Sequence, residues 1–400
     1  MAKGVFGSVA ALLAAAGMAL ADGPAAAPTA ASTGGSCAAA PVVAAPACDD
    51  QAGNGRFWAS GEYLLWWFKN SPEPAPLIST GVVGAPGTTT LLGGNSINSD
   101  VHSGGRFAVG GWLDCDQRLG VEIGGFFLGG KTVTRGVVTG TDAVGPTIGF
   151  PFFNLTTGAP DFFALSEPTV SSGTATETLF QRLFGFSANG LLGLGQPCNC
   201  CDCCHDSRER PRLYLLGGFR YVELDEDFGL VTSTTGFPGG EQAGFTSVHG
   251  DQINAQNRFY GGNGGVRVEY WSGPWYFAAT GQVALGWTHE SVDLGGITTT
   301  TMGGVTTVTP MSGILVHPSN AGRFTRDRFA VLPEATLNAG VNVTSWAALF
   351  VGYNFLYLSD AVRPGQSIDS GFNGTTRPAP ILHSTDFWAQ GINFGVALRF

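Results

Sequence analysis

Residues Asp386–Phe400 read DFWAQGINFGVALRF. Ile392, Phe394, Val396, Leu398 and Phe400 stand at every second position, with Gly391, Asn393, Gly395, Ala397 and Arg399 between them. A period of two belongs to a β-strand whose two faces meet different surroundings. Here one face is large and apolar and the other small or polar. That alternation suits a barrel strand with lipid outside and a polar interior.

The same alternation recurs upstream. Arg56–Lys69 sets Phe57, Ala59, Tyr63, Leu65 and Trp67 against Ser60 and Glu62, and Trp275–His289 sets Trp275, Phe277, Val283, Leu285 and Trp287 against Thr280, Gln282 and Ala284. Gly105–Asp114, Leu119–Lys131, Arg212–Asp225, Arg258–Trp271, Phe329–Val341 and Ala347–Leu358 behave alike. Ala175–Gly195 is noisier, because Arg182 shares a face with Phe180, Phe184 and Phe186. The connections alternate too. Asn70–Gly104, Thr132–Thr174, Glu226–Asn257, Ser291–Asp327 and Ser359–Thr385 read as long loops. Asp114–Arg118, Ser272–Pro274 and Asn342–Trp346 read as tight turns, with Gln196–Arg210 the one long exception. Long extracellular loops alternating with short periplasmic turns are a barrel property that a secreted β-sandwich has no reason to share. The expected fold is therefore all-β, a transmembrane antiparallel up-and-down β-barrel of about 10 strands (roughly 10–12) with long extracellular loops.

Composition agrees without deciding. Charged residues make up 12% of the chain, against roughly a quarter in ordinary domains, and there are 61 Gly, 28 Phe and 9 Trp. The formal net charge of −10 argues against a nucleic-acid partner. Tryptophans near strand ends (Trp58, Trp66, Trp67, Trp112, Trp271, Trp275, Trp287, Trp346 and Trp388) are expected to form interfacial girdles.

The N-terminus reads as a secretory signal over residues 1–21. Lys3 precedes an apolar run from Val5 to Leu20, and Ala19-Leu20-Ala21 offers a small-residue cleavage site. Residues 22–54, rich in Ala and Pro, read as a disordered periplasmic leader before a barrel over 55–400. The C-terminal strand closing on Phe400 resembles the signal that hands outer-membrane proteins to the barrel insertion machinery. Lipid of the cell outer membrane is then the surrounding medium.

Glu62, Arg106, Glu122, Arg220, Arg267, Glu269 and Glu334 fall on the polar faces of their strands. Inside a narrow lumen they can pair into a plug or line a charged constriction. Cys198, Cys200, Cys201, Cys203, Cys204 and His205 are spaced closely enough to hold zinc or a soft metal. In an oxidising compartment the same thiols, with Cys37, Cys48 and Cys115, favour disulfides instead. No other cofactor is indicated. Asp100 with His102, and His249 with Asp251, are the pairs that could activate a water at a loop rim. Nothing else completes a catalytic site, and no enzyme is expected.

RFWASGEYLLWWFK (Arg56–Lys69) resembles the opening strand of a planctomycete outer-membrane barrel family, beta-barrel protein 7. Pro72–Pro76, Leu77–Gly81, Leu91-Leu92-Gly93-Gly94 and Gly104-Gly105-Arg106-Phe107 resemble it too. The likeness runs from about residue 56 to the C-terminus and implies an outer-membrane barrel, with no functional residues carried over. The expected role is a structural or surface-interaction component with a side-chain-filled lumen, its surface partners unidentified. The alternative is a narrow porin-like channel for ions or small solutes.

Overall fold

The computed structural model describes residues 56–114, 117–138, 145–194 and 211–400. The proposed signal and leader lie outside the described residues, as do all eight cysteines, His205 and the whole Gln196–Arg210 turn.

Ten antiparallel strands close into a ring. They are β1 (Phe57–Phe68), β4 (Val101–Trp112), β5 (Leu119–Val138), β8 (Ser171–Gly193), β9 (Arg212–Gly236), β10 (Phe245–Ser272), β11 (Trp275–Met302), β13 (Gly322–Asn342), β14 (Ala347–Val362) and β16 (Ser384–Arg399). Sequence neighbours pair throughout, and β1 pairs with β16 to complete the circle. Even the last residue takes part, since Phe57 and Phe400 exchange two backbone hydrogen bonds of 3.0 and 2.8 Å.

Each expected strand is present, but several run on past their expected ends. β9, β10 and β11 extend through residues expected as loops, so Glu226–Asn257 is largely a continuous hairpin. The other expected loops contain β2 (Ser71–Ser79), β3 (Thr90–Ile97), β6 (Ile148–Asn154), β7 (Ala159–Ser166), β12 (Val305–Pro310) and β15 (Gly371–Phe372). β12 extends the barrel sheet, whereas β2, β3, β6, β7 and β15 form a second sheet.

The outer surface shows where the surroundings change. Tyr221, Tyr260, Trp287 and Phe329 are successive cross-strand partners on the outer face. Two residues further toward the long-loop end, Glu223, Arg258, His289 and Asp327 form the next such line. Below the aromatic line on these four strands the outward side chains are aromatic, aliphatic or glycine as far as Leu213, Tyr270, Trp275 and Val341. At roughly 3.4 Å per residue and a tilt of roughly 40°, Trp275 to Trp287 rises about 30 Å, the height of a bilayer core. Not every tryptophan joins a girdle. Trp67, Trp275, Trp287 and Trp388 point outward, but Trp58, Trp66, Trp112 and Trp271 have inward parity and pack inside the ring. Nearness to a strand end does not set the face; parity does.

One seam interrupts the wall. β13 and β14 pair only from Glu334↔Leu356 to Asn342↔Ala348, although β13 stays on β11 as far as Gly322. The N–H of Val331 donates to Ser359 Oγ at 2.9 Å, so odd-numbered donors of β13 face β14. Pro333 sits on that side with no N–H to give, and the ladder ends there. Beyond Leu358 a bulge turns β14 inward. The backbone of Val362 then exchanges hydrogen bonds of 2.7 and 2.9 Å with the Asn257 side chain on β10.

Candidate functional site

The barrel interior is the candidate site, and it is filled in layers. Nearest the short turns, Trp58, Trp112 and Tyr214 form a chain of rings with centroids 5.0 and 5.4 Å apart. Arg399 lies 4.8 Å over Trp271, and Arg212 lies 5.2 Å over the same ring.

The next layer holds the charges expected from sequence. Glu122 and Arg267 form a two-pronged pair at 2.7 and 2.9 Å, and Trp58 Nε1 donates to Glu122 at 3.0 Å. Arg220 and Glu334 do the same at 2.5 and 2.8 Å. Glu62 and Arg106 are 3.6 Å apart, joined through amides. Arg106 donates to Asn354 Oδ1 at 2.5 Å, Asn354 to Asn393 at 2.8 Å, and Asn393 to Glu62 at 2.8 Å. Glu269 also points inward, but makes no ion pair among the described residues. Gly352 makes room for the amides, because a Cβ there would lie 2.0 Å from Asn338 Oδ1 and 2.6 Å from Asn393 Oδ1. The paired charges satisfy one another, which removes most of the penalty of burying them.

Above them lies an apolar waist of Leu64, Trp66, Phe126, Leu183, Val222, Leu224, Phe259, Leu332 and Leu356. Arg106 and Arg220 stack over its rings at 5.4 and 5.3 Å. At its upper edge the inward-turned chain carries Arg363 into the interior, where it grips Glu226 with both side chains fully buried. Gln181 Nε2 donates to the same carboxylate. No sequence signal marked Arg363 or Glu226, since both lie in stretches expected as loops.

The uppermost layer is a hydrophobic core between the second sheet and the inner wall. Leu77, Ile78, Leu92 and Phe150 pack on Leu179, Phe228, Leu230, Ile253, Val292 and Leu294. Gly93 allows β3 to approach β2. Its φ is +78°, and a Cβ would fall 2.4 Å from the Ala75 carbonyl oxygen. Arg135 of β5 meets Glu73 on β2 and Glu177 of β8 at 2.6 and 2.5 Å.

The two Asp/His pairs are placed differently from what water activation requires. His102 is buried, stacks on Phe68 at 3.9 Å and contacts Ser99 Oγ at 2.9 Å, while Asp100 faces Lys131 at 3.6 Å. Asp251 accepts the backbone N–H groups of Ile314, Leu315 and Val316 at 2.9, 3.1 and 2.9 Å. Burial still holds its carboxyl up near about 6. His249 contacts Thr298 and Ser247, with its pKa lowered by burial. Both oxygens of Asp251 therefore serve as a staple for the chain between β12 and β13.

At the loop end, β12 is exposed on both faces, and no charged side chain occurs between Asp293 and Arg323. Met302 and Val305 at its tip are among the most exposed apolar residues described.

These features define an outer-membrane-type β-barrel with a packed interior. The family described as "Putative beta barrel porin-7 (BBP7)" matches residues 58–400, and the chain belongs to that family. No curated protein sequence matches it. Among solved structures it is similar to the outer membrane protease OmpT from Escherichia coli, at 12% identity and a TM-score of 0.41, covering 88% of this chain and 100% of that one. A deletion mutant of the monoaromatic hydrocarbon channel TodX matches at 10% identity and a TM-score of 0.21, covering 87% and 91%. The toluene transporter TbuX of Ralstonia pickettii matches at 10% identity and a TM-score of 0.16, covering 87% and 90%. Likenesses this distant carry no argument about activity.

Proposed function

We propose that this chain is a closed outer-membrane barrel whose work is done at its long-loop end, as a structural or surface-interaction component of the outer membrane. The observation that carries this reading is the layered filling of the interior by paired charges, an apolar waist and the second sheet. A pore needs a continuous wetted path, and each of these layers opposes one. The uncharged, doubly exposed β12 supports a surface role, since an unguarded strand edge is a ready template for pairing. In this reading residues 1–21 direct export, and Phe400 serves recognition by the insertion machinery. The cysteine cluster near Cys198–His205 forms disulfides, with metal the alternative.

Single-channel recording on purified protein in planar bilayers tests the closed lumen. The expected trace is flat at moderate voltage, and a steady unitary conductance overturns the reading. The family's description as a porin favours the second reading, a narrow path for ions or small solutes. Under that reading, Arg220→Ala would change the ion selectivity of an existing current.

A further inference from the structure

Most acids inside the barrel meet one cation each, but one cluster breaks that rule. Glu73 comes from β2 of the second sheet, Glu177 and Arg135 from the wall, and both carboxylates are almost completely buried. Arg135 Nη2 donates to Glu73 Oε2 at 2.6 Å and to Glu177 Oε1 at 2.5 Å. That leaves Glu73 Oε1 and Glu177 Oε2, each buried and without a hydrogen-bond partner. Two carboxylates against one guanidinium carry an excess negative charge, and two orphaned acceptors lack a donor. A single proton between them corrects both faults.

We infer that Glu73, Glu177 and Arg135 form a binding site for one proton, and that its occupancy sets how firmly β2 docks on the barrel wall. Among the described residues no group of three or more His, Cys, Asp or Glu is placed to hold a metal ion, so a proton suits the site better than a divalent cation. The surrounding charges are already matched. One layer below, Glu226 is gripped by Arg363, and Lys131 on β5 faces Asp100. β9 contributes Phe228 and Leu230, β3 contributes Asn95 opposite Glu73, and the Pro364–Ser367 turn contributes backbone. Burial, then the neighbouring Glu177, push the Glu73 carboxyl up from 4.5 to about 8, and burial also raises Glu177.

The sign follows from linkage. The docked site keeps its proton up to about pH 8, while an undocked, hydrated Glu73 releases it near 4.5. Docking is therefore firmest at or below pH 4.5, weakens through the interval, and is weakest above pH 8.

Amide hydrogen exchange of Ser71–Ser79 in the folded, detergent-solubilised full chain reads this directly, after correction for intrinsic exchange. The opening constant of β2 should rise about tenfold per pH unit between pH 5.5 and 7.5, the slope of one linked proton. Glu73→Gln supplies a permanent donor and leaves Arg135 with one acid, so its slope should fall to less than about threefold over the whole interval. Glu177→Gln should behave alike, and heat-modifiability on a gel verifies that either variant keeps its barrel. A flat wild-type profile, or variants that keep the wild-type slope, overturns the proposal. The inference rests on the packed second sheet and not on conductance, so its failure and that of the closed-lumen reading are seen separately.

Discussion

The two halves of β10 and β11 solve opposite problems with one backbone. Near the short turns β11 points Phe277, Val283, Leu285 and Trp287 outward and Thr280 and Gln282 inward. Beyond His289 the assignment inverts, with Val292 and Leu294 inward and Ser291 and Asp293 outward. On β10, Val266 and Val268 face outward opposite Asn263 and Arg267, whereas further up Ile253 and Ala255 face inward and Gln252 and Asn254 outward. The strand does not change, but its surroundings do. The lower half is an inside-out protein in hydrocarbon, and the upper half is an ordinary sheet with a core in water.

It follows that the same class of substitution should carry very different costs on the two halves. The largest effects belong inside the upper half. Phe228→Ala removes a fully buried ring from the upper core and should destabilise the protein by about 3–5 kcal/mol, read as a lowered urea midpoint. Its counterpart is a charge on the lower outer wall. Val283→Lys places an ammonium in the middle of the apolar band and should cost about 2–4 kcal/mol in liposomes. Asn254→Lys, on the exposed outer face of the upper half of β10 and opposite Asp227 and Asp293, should stay within about 0.5 kcal/mol. Equal costs at positions 283 and 254 would break the comparison.

The lower interior supplies an intermediate case. Arg220→Ala leaves Glu334 with only Gln282 at 3.3 Å and should cost about 2–3 kcal/mol. Adding Glu334→Gln to Arg220→Ala should recover much of that loss, because no charge is then left unpaired. A loss that the second substitution does not recover would mean that packing of the guanidinium over Phe126 matters more than its charge.

The same inversion explains what the sequence made legible. Parity along each strand placed Glu62, Arg106, Glu122, Arg220, Arg267, Glu269 and Glu334 on inward faces, because a lipid-facing strand announces itself by apolar residues on its other side. It could not say which charge meets which. Glu122 and Arg267 come from strands far apart in the ring, and only closure brings them together. Above Glu223, Arg258 and His289 the alternation continues in reversed polarity, so a search for apolar-out strands stops at the band's edge. β2 was hidden for another reason. Ser71, Glu73, Ala75 and Leu77 alternate cleanly, but Pro72, Pro74 and Pro76 stand between them, and such a run reads as loop. Arg363 offered no local signal at all, since its importance comes from β14 bending inward.

A smaller effect than that at Arg220 tests the seam between the halves. Continuing the β13–β14 register by one rung brings position 333 opposite Tyr357, on the side where Val331 already donates to Ser359. Pro333→Val restores a donor there without adding a charge or much volume. The ladder should extend by one hydrogen bond, with a net gain of no more than about 1 kcal/mol and a newly protected amide at position 333. A protected amide would show that proline alone ends the pairing. An amide that exchanges freely would show that the inward bulge after Leu358 holds the strands apart. The seam would then be set by the Glu226–Arg363 anchor that draws β14 into the interior.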